Sequence, residues 1–370
     1  MAAQMRILFL AKRQYMGRDL LDDQYGRFRE IALELARLEH EVTGICFSYR
    51  RRKEGVFIDG DPDRRGKVTW HSFNIGRTVL PGLARYWVKS AALAAEFKPS
   101  VVIASSDAFH VIRGERLARS VGAKSVSDLY DNFESYAGAS VPGLLAALRA
   151  ALRRTDLVLA ISPPLARKVR DQYRRRGPIE VLENGVRRDL FFPRAKQAAR
   201  RRLGLPGEAV LIGTAGTLST HRDVETLFRA ADLLAGRDPR FRLVVAGRRD
   251  ATLPWPKTAP VHDLGLLDHA AVPDLFAALD VMVTTNRHST FGDYCHPQKL
   301  CEAIACGVPV VTAAAGWMPE LFSGDPYSLY KVGDAENLAD TIVARLTDAA
   351  PSRVKVEGWD GIAKRLSAWL

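Results

Sequence analysis

Long apolar runs are missing from this 370-residue chain. No segment approaches the roughly 18–20 residues that a membrane span requires. The start, Met1-Ala-Ala-Gln-Met-Arg-Ile-Leu-Phe-Leu-Ala, has too short an apolar stretch and no small-residue cleavage pattern, which argues against a signal peptide and for a first buried strand. Cysteine is scarce. Cys46, Cys295, Cys301 and Cys306 form no CxxC pair and have no histidine at metal-ligand spacing, so neither a disulfide framework nor a zinc site is expected. Reduced thiols in a cytoplasmic protein are the simplest expectation. The sequence also lacks low-complexity tracts, short-period repeats and any clustered basic–aromatic surface of the kind that reads nucleic acid.

What is present is an ordinary globular balance, with 47% hydrophobic and 26% charged residues. Single cores stop growing at about 250–300 residues, so two domains are expected. The net charge of +12 points to an anionic partner (nucleic acid, a phosphorylated substrate or an acidic membrane surface) or simply to a basic proteome.

Along the chain, buried strands alternate with amphipathic helices, the pattern of a parallel α/β sheet. Strands Arg6–Lys12 and Glu41–Phe47 flank Arg27–Glu39, whose Phe28, Ile31, Ala32, Leu35 and Leu38 fall at helical spacing. Polar, turn-rich Arg50–Lys67 is expected to be an exposed loop. Helix Leu83–Phe97, strand Val101–Ala104, helix Arg113–Val121, strand Lys124–Leu129, helix Leu144–Arg154, strand Leu157–Ile161, helix Pro163–Arg175 and strand Glu180–Leu182 complete one doubly wound lobe. Glu183–Pro193 reads as a connection. The alternation then restarts with strands at Val210–Gly213, Phe241–Ala246, Val281–Thr284 and Val308–Val311. Its helices are Val224–Leu234, Leu275–Leu279, His296–Cys306 and Ala335–Leu346. In the tail, Val356–Leu370, Trp359, Ile362, Leu366 and Trp369 again have helical spacing.

The segment Thr290–Gly316, TFGDYCHPQKLCEAIACGVPVVTAAAG, carries the most chemistry. Pro297 suits a first helical turn, and Lys299 and Glu302, three apart, share a face near that helix start. Free amides and the helix dipole attract phosphate there, Lys299 adds positive charge, and Glu302 can accept hydrogen bonds from ribose hydroxyls. The same residues also suit an ordinary amphipathic helix with an ion pair. Val210–His221, VLIGTAGTLSTH, is a strand followed by a glycine-containing loop whose amides can close on a phosphate, with Arg222 able to clamp a diphosphate; a plain turn fits equally well.

In order, these motifs resemble the family-4 glycosyltransferases. The resemblance rests on NGV and FFP within Asn184–Pro193, G-x2-G at Gly213–Gly216, VVAG at Val244–Gly247, LGLLDHAAVPDLFAALDVMV at Leu264–Val283 and PQKLCEAIACGVPVV at Pro297–Val311. It implies a retaining enzyme of the α/β GT-B fold: two Rossmann-like doubly wound lobes facing across a cleft, with a C-terminal helix crossing back to the first lobe. The implied divisions are 1–190 for acceptor binding, 191–355 for nucleotide-sugar binding and 356–370 for the final helix. It further implies that Glu302 holds the donor ribose, and that the Gly216 and Thr217 amides with Arg222 hold the pyrophosphate. The loop Leu264–Leu267, including Leu266, would meet the base through its backbone. His110 stands where the family has an active-site histidine, and Gly17 or Gly26 would lie on a loop facing the diphosphate. Two departures stand out. Arg222-Asp223 replaces the usual Lys-Gly, and Tyr294 occupies the first position of the family's paired glutamates. Lys299, as in a subgroup with a P-x-K-x2-E pattern, then takes over part of the charge role, and Asp293 is the nearest carboxylate for contact with the donor sugar. Neither a metal nor another cofactor is expected.

Asp59-Gly-Asp-Pro-Asp63 matches the DxD pattern of metal-dependent sugar transferases, but its polar loop reads better as a solvated acidic turn. A histidine such as His110 is, taken alone, more often structural, and only its place after a strand of the first lobe puts the active-site reading level with that one. The helix LLAALRAALRR at Leu144–Arg154 offers either a membrane-surface face or a core-packed helix with a basic edge, and Arg167–Arg176 poses the same choice. The resulting expectation is an EC 2.4 hexosyltransferase-like enzyme, cytoplasmic or peripheral at the inner membrane face. Its partners would be a nucleotide-sugar donor and a glycan, lipid-linked or small-molecule acceptor, with peripheral contact with anionic membrane and no nucleic acid. The alternatives are a sugar-nucleotide hydrolase or epimerase on the same fold, or a non-enzymatic basic binding protein.

Overall fold

The short apolar runs of the first half become the strands of one sheet. In the computed structural model, which describes residues 4–15, 17–50, 52–60, 65–76, 78–136, 140–348, 350 and 352–370, they are β1 (Arg6–Lys12), the small hairpin β2 (Gln14–Tyr15) and β3 (Arg18–Asp19), β4 (Glu41–Ser48), β5 (Gly55–Asp59), β6 (Val68–Asn74), β7 (Val101–Ser105), β8 (Lys124–Leu129), β9 (Leu157–Ala160) and β10 (Ile179–Val181). The helices between them are α1 (Arg27–Arg37), α2 (Val79–Phe97), α3 (Ala108–Val121), α4 (Leu144–Arg154) and α5 (Pro163–Asp171). The sheet order is β10-β9-β8-β7-β1-β4-β6-β5. Every pairing is parallel except β5 on β6. The order reverses between β1 and β7, where Ile7 pairs with Val42 on one side and Val101 on the other. Ligand crevices of doubly wound sheets open at the carboxyl ends of strands at such a point.

The second half repeats the plan with α6 (Lys196–Arg202), β11 (Val210–Ala215), α7 (Val224–Arg237), β12 (Phe241–Ala246), β13 (Val261–Asp263), α8 (Val272–Ala278), β14 (Val281–Thr284), α9 (Gln298–Ala305), β15 (Val310–Ala313), α10 (Met318–Leu321), β16 (Leu329–Tyr330) and α11 (Ala335–Thr347). Its all-parallel order is β13-β12-β11-β14-β15-β16, with the reversal between β11 and β14. Apolar clusters cover both faces, one around Leu211, Phe276 and Leu300 and the other around Ile212, Leu227 and Leu338.

Contacts divide the chain into residues 1–184 with 359–370, and residues 185–358. The last helix, α12 (Trp359–Trp369), lies in the first unit. It buries Trp359, Ile362, Ala363 and Leu366, packs on α1, and accepts the Lys124 ammonium at the carbonyls of Trp369 (2.7 Å) and Leu370 (3.0 Å). Residues 356–358 are not helical: Val186 donates to the Glu357 carbonyl at 2.9 Å and pairs with Gly358.

The stretch expected to be an exposed loop contains β5, an antiparallel edge strand. Asp59 at its end is buried in a bidentate pair with Arg29, both bonds 2.7 Å, rather than in a solvated acidic turn. Asp61 and Asp63 of the DxD pattern lie outside the described residues. Among the described residues no helix is long and apolar enough to cross a membrane. On α4 the basic edge is tied down, Arg149 to Glu134 and Arg154 to Glu115 (3.0 Å). Arg175 is buried and bonded to backbone carbonyls, so it is a structural residue.

Candidate functional site

In the second unit the loops after β11, β12 and β13 come together. Gly216 donates to the Ala246 carbonyl (2.8 Å) and Gly247 to that of Gly265 (2.7 Å). Gly247 has a φ of 135°, and a Cβ there would stand 1.9 Å from the Gly216 oxygen, so only glycine lets these loops meet. Gly216 has a φ of 101° with open space beside it, and both it and Thr217 are exposed; because the Gly216 N–H is spent on Ala246, the amide left to face a ligand is that of Thr217, not both as the resemblance implied. Leu266 sits on the third loop. Its side chain is 71% exposed, so contact with a base would fall to the backbone around Gly265.

Helix α9 follows the loop after β14. Proline ends the preceding extended segment: Pro297 is the N-cap, not the first helical turn, and the helix starts at Gln298 with no side chain capping its amides. Its Lys299 reaches across to β11, where Nζ donates to the Ala215 carbonyl (2.9 Å) and approaches Thr214 Oγ1 (3.5 Å). Burial, and next the Arg222 charge, pull this ammonium down to about 7. It therefore sits close to Gly216 rather than in an ion pair with Glu302. Glu302 is buried one turn on, with Oε1 3.3 Å from Gln298 Nε2 and 3.6 Å from His269 Nε2.

Arg222 precedes the next helix, which begins at Val224 as the sequence suggests. It lies on a 3-10 turn, Thr220–Arg222, and α7 starts at Val224 after Asp223 adopts a left-handed conformation (φ 56°). Aspartate thus occupies the backbone geometry that glycine would hold there, a strain of order 1 kcal/mol. Asp223 in turn accepts from Arg287 at 3.2 Å, and burial pushes its carboxyl up. The Arg222 guanidinium carbon lies 4.2 Å from the centroid of the Phe291 ring. Asp293 is partly exposed and engaged by its own loop, with Oδ1 2.7 Å from His288 Nδ1 and Oδ2 accepting from the Ser289 amide.

In the first unit a pocket of about 470 Å³ opens at the carboxyl ends of β1, β4 and β7, lined by Lys12, Gly17, Tyr49, Arg50, Asp107 and Tyr136 among others. Asp107 caps α3 by accepting from the His110 amide (3.0 Å), and its Oδ1 also meets His110 Nδ1 at 2.8 Å. Burial would raise this carboxyl, but the His110 charge and hydrogen bonds, with Lys12, hold it at about 2. Tyr49 donates to Asp107 Oδ2 at 3.0 Å. His110 itself is fully buried among Phe47, Tyr49, Tyr86 and Phe109 and does not line the pocket. Gly17 does line it, whereas Gly26 is the N-cap of α1 (φ 117°), packed against Tyr15.

The structure thus brings Gly216, Thr217, Arg222 and Lys299 together, with Glu302 one turn along the same helix. Sequence reading missed His269, Phe291 and Arg287. The first two lie inside the stretches quoted above, and only tertiary folding pairs them with Glu302 and Arg222. It also missed Lys12, Tyr49 and Arg50. Among the described residues no cluster of three or more histidine, cysteine or acidic side chains is arranged to hold a metal.

The chain matches two domain families over most of its length: a glycosyl transferase 4-like domain at residues 26–185 and the glycosyl transferases group 1 at residues 209–348. It is 32% identical over 200 residues to a D-inositol 3-phosphate glycosyltransferase of Stackebrandtia nassauensis, covering 48% of this chain and 43% of that one. It is 27% identical over 216 residues to an N-acetyl-alpha-D-glucosaminyl L-malate synthase of Bacillus anthracis, covering 56% and 55%. The chain thus spans about half the length of these curated relatives. Sucrose-phosphate synthase from Thermosynechococcus elongatus superposes with a TM-score of 0.79 at 17% identity over 99% of this chain and 98% of that one. HepE of Anabaena in complex with UDP-glucose superposes with a TM-score of 0.67 at 18% identity over 99% and 95%.

Proposed function

Because the chain belongs to the family-4 glycosyltransferases and has their GT-B fold, we propose that it transfers a hexosyl group from a nucleotide-sugar donor to a hydroxyl-bearing acceptor with retention of anomeric configuration. In this reading the nucleoside diphosphate part of the donor binds the second unit. The observation that carries it is Lys299 held against the end of β11, beside the open glycine at 216 and within electrostatic reach of Arg222.

In the reaction the bond between the anomeric carbon and the phosphate oxygen breaks, a bond to the acceptor oxygen forms, and the acceptor's proton ends on the departing diphosphate. Negative charge grows on that diphosphate as it leaves. The preorganised Thr217 amide, with Arg222 and Lys299, stabilises the growing charge more than the intact donor, and this difference lowers the barrier. Glu302, buried at the same helix, accepts from the ribose hydroxyls. The backbone of Leu264–Leu267 meets the base, and Asp293 lies nearest the donor sugar.

Titration of UDP and UDP-glucose into the wild-type protein and an E302A variant tests this. Loss of two charge-assisted hydrogen bonds, each about 1.5–3 kcal/mol, should weaken binding at least tenfold. Equal affinity in the two proteins would remove Glu302 from the ribose role. Consumption of donor that is as fast without acceptor as with any acceptor tried would indicate hydrolysis instead.

A further inference from the structure

Most cations near the first unit's pocket are spoken for. Arg13 is buried with Asp19 and Asp22, and Arg52 lies within 4 Å of the same two carboxylates. Lys12 and Arg50 differ. Lys12 lies over the Tyr136 ring at 4.8 Å, and no carboxylate reaches ion-pair distance of it among the described residues. Arg50 is exposed, and its guanidinium has no partner among them. Both line the pocket.

The two nearby acids, Asp107 and Asp131, attract the Lys12 ammonium through space, but their oxygens bond to other donors. Asp107 spends one oxygen on the His110 amide and ring and the other on Tyr49, and Asp131 accepts from Tyr136 (3.1 Å) and the Asn132 amide (2.8 Å). Carboxylates saturated by donors contribute no free acceptor to the space, whereas the two cations leave N–H groups unused. Burial depresses the Lys12 ammonium, the cost of partly desolvating a charge without a direct partner. Such a group is offset when an anion fills the site. The volume, about 470 Å³, lies within the range of small-molecule pockets, about 300–1,000 Å³.

We propose that this pocket receives an acceptor bearing an anionic group, a phosphate or carboxylate, held between the Lys12 ammonium and the Arg50 guanidinium. The inference rests on the glycosyltransferase reading and names its acceptor class. The anion belongs either to a soluble hydroxylated metabolite or to a lipid headgroup. Gly17 opens the pocket wall at a φ of 84°, where a side chain would be strained.

The test uses the 370-residue chain saturated with UDP, so that the diphosphate site is occupied. Glucose and glucose 6-phosphate, inositol and inositol 3-phosphate, and vesicles of phosphatidylcholine with or without phosphatidylinositol are titrated in matched pairs. At least one charged member should bind ten-fold or more tightly than its uncharged partner. K12Q and R50Q should each reduce that preference at least five-fold while UDP affinity stays within about two-fold. A preference confined to vesicles assigns the anion to a lipid; one seen with the soluble pairs assigns it to a metabolite. No preference in any pair, or one that survives both variants, overturns the proposal. So does K12Q weakening UDP as much as the anionic probe, because Lys12 would then serve the donor's diphosphate. R50Q alters an exposed side chain, so misfolding cannot mimic its effect. Failure of wild-type protein to bind UDP would instead defeat the glycosyltransferase reading, and the charge preference would then be measured without UDP.

Discussion

Arg222 is held by Phe291: the guanidinium carbon stands 4.2 Å from the ring centroid, from a loop across the second sheet's reversal point. The same two loops meet a second time where Arg287 donates to Asp223. A flexible cation is thereby fixed near Lys299 and, among the described residues, has no carboxylate at ion-pair distance to compete for it. Cation–π contacts at exposed sites are worth about 0.5–1 kcal/mol. F291A should therefore raise the UDP dissociation constant about two- to five-fold, with F291Y close to wild type and R222A worse than F291A. Isothermal titration of the four proteins decides this, and wild-type affinity in F291A would show that the stacking does not position Arg222.

Lys299 makes donor affinity depend on pH. Its ammonium is drawn down to about 7 in the unliganded protein, and a diphosphate placed beside it would favour the charged form. Binding above pH 7 must then take up a proton, and affinity should fall by up to about tenfold per pH unit from 7 to 8.5. K299M should bind UDP weakly with a flatter profile. Stability carries the same signature. The folded value lies below the ordinary 10.5, so between about pH 7 and 10.5 the unfolded chain holds the extra proton and stability rises with pH. Titrations in two buffers of different ionisation enthalpy would detect the uptake, and enthalpies that do not depend on the buffer would argue against it.

Asp107 couples a helix cap to His110. D107A removes the cap of α3 and the histidine's partner, an expected loss of about 1–3 kcal/mol by urea unfolding. D107N keeps a capping oxygen and should cost less. With the folded carboxyl at about 2, below its ordinary 3.8, the stabilisation it gives is complete above pH 4 and disappears as pH falls toward 2. The gap between wild type and D107N should close over that interval. A gap that stays constant would mean that the charge contributes nothing.

Central parallel strands were legible because both of their faces are buried, which forces short continuous apolar runs such as ILFLA in β1. β5 was hidden because an edge strand needs no such run; its GVFID leaves Val56 and Ile58 exposed. α6, KQAARRR, was hidden for a different reason. It is anchored by Arg200, buried and bonded to the carbonyls of Ala278 and Ala209 and to Asp280, so its inward face is polar. The candidate donor residues were legible where spacing within one helix or loop sets them, as for Lys299 and Glu302. Partners that meet only through sheet order were not: Phe291 on Arg222, His269 beside Glu302, and Lys12 with Arg50, which β1 and β4 bring to one sheet end.

Arg27 and Asp128 form a fully buried pair near the end of the first unit's opening run. Nε and Nη2 meet the two carboxylate oxygens at 2.9 and 3.3 Å, and the remaining N–H groups reach the carbonyls of Leu182 (2.8 Å) and Glu183 (2.6 Å) and Asn184 Oδ1 (3.3 Å). One guanidinium therefore fixes the last residues of this unit before the chain leaves it at Asn184. Removing either partner strands a buried charge, typically at a cost of about 3–5 kcal/mol. The two losses should differ. D128N leaves Arg27 with three oxygen acceptors outside the lost pair, whereas R27M leaves the carboxylate without its bidentate donor and the three acceptors without theirs. R27M should thus be the more destabilising by urea unfolding. R27M/D128L, which removes both charges, should recover part of the loss, because two apolar groups in contact need no compensation. A double variant as unstable as the sum of the singles would show that the carbonyl contacts, not the ion pair, hold this segment in place.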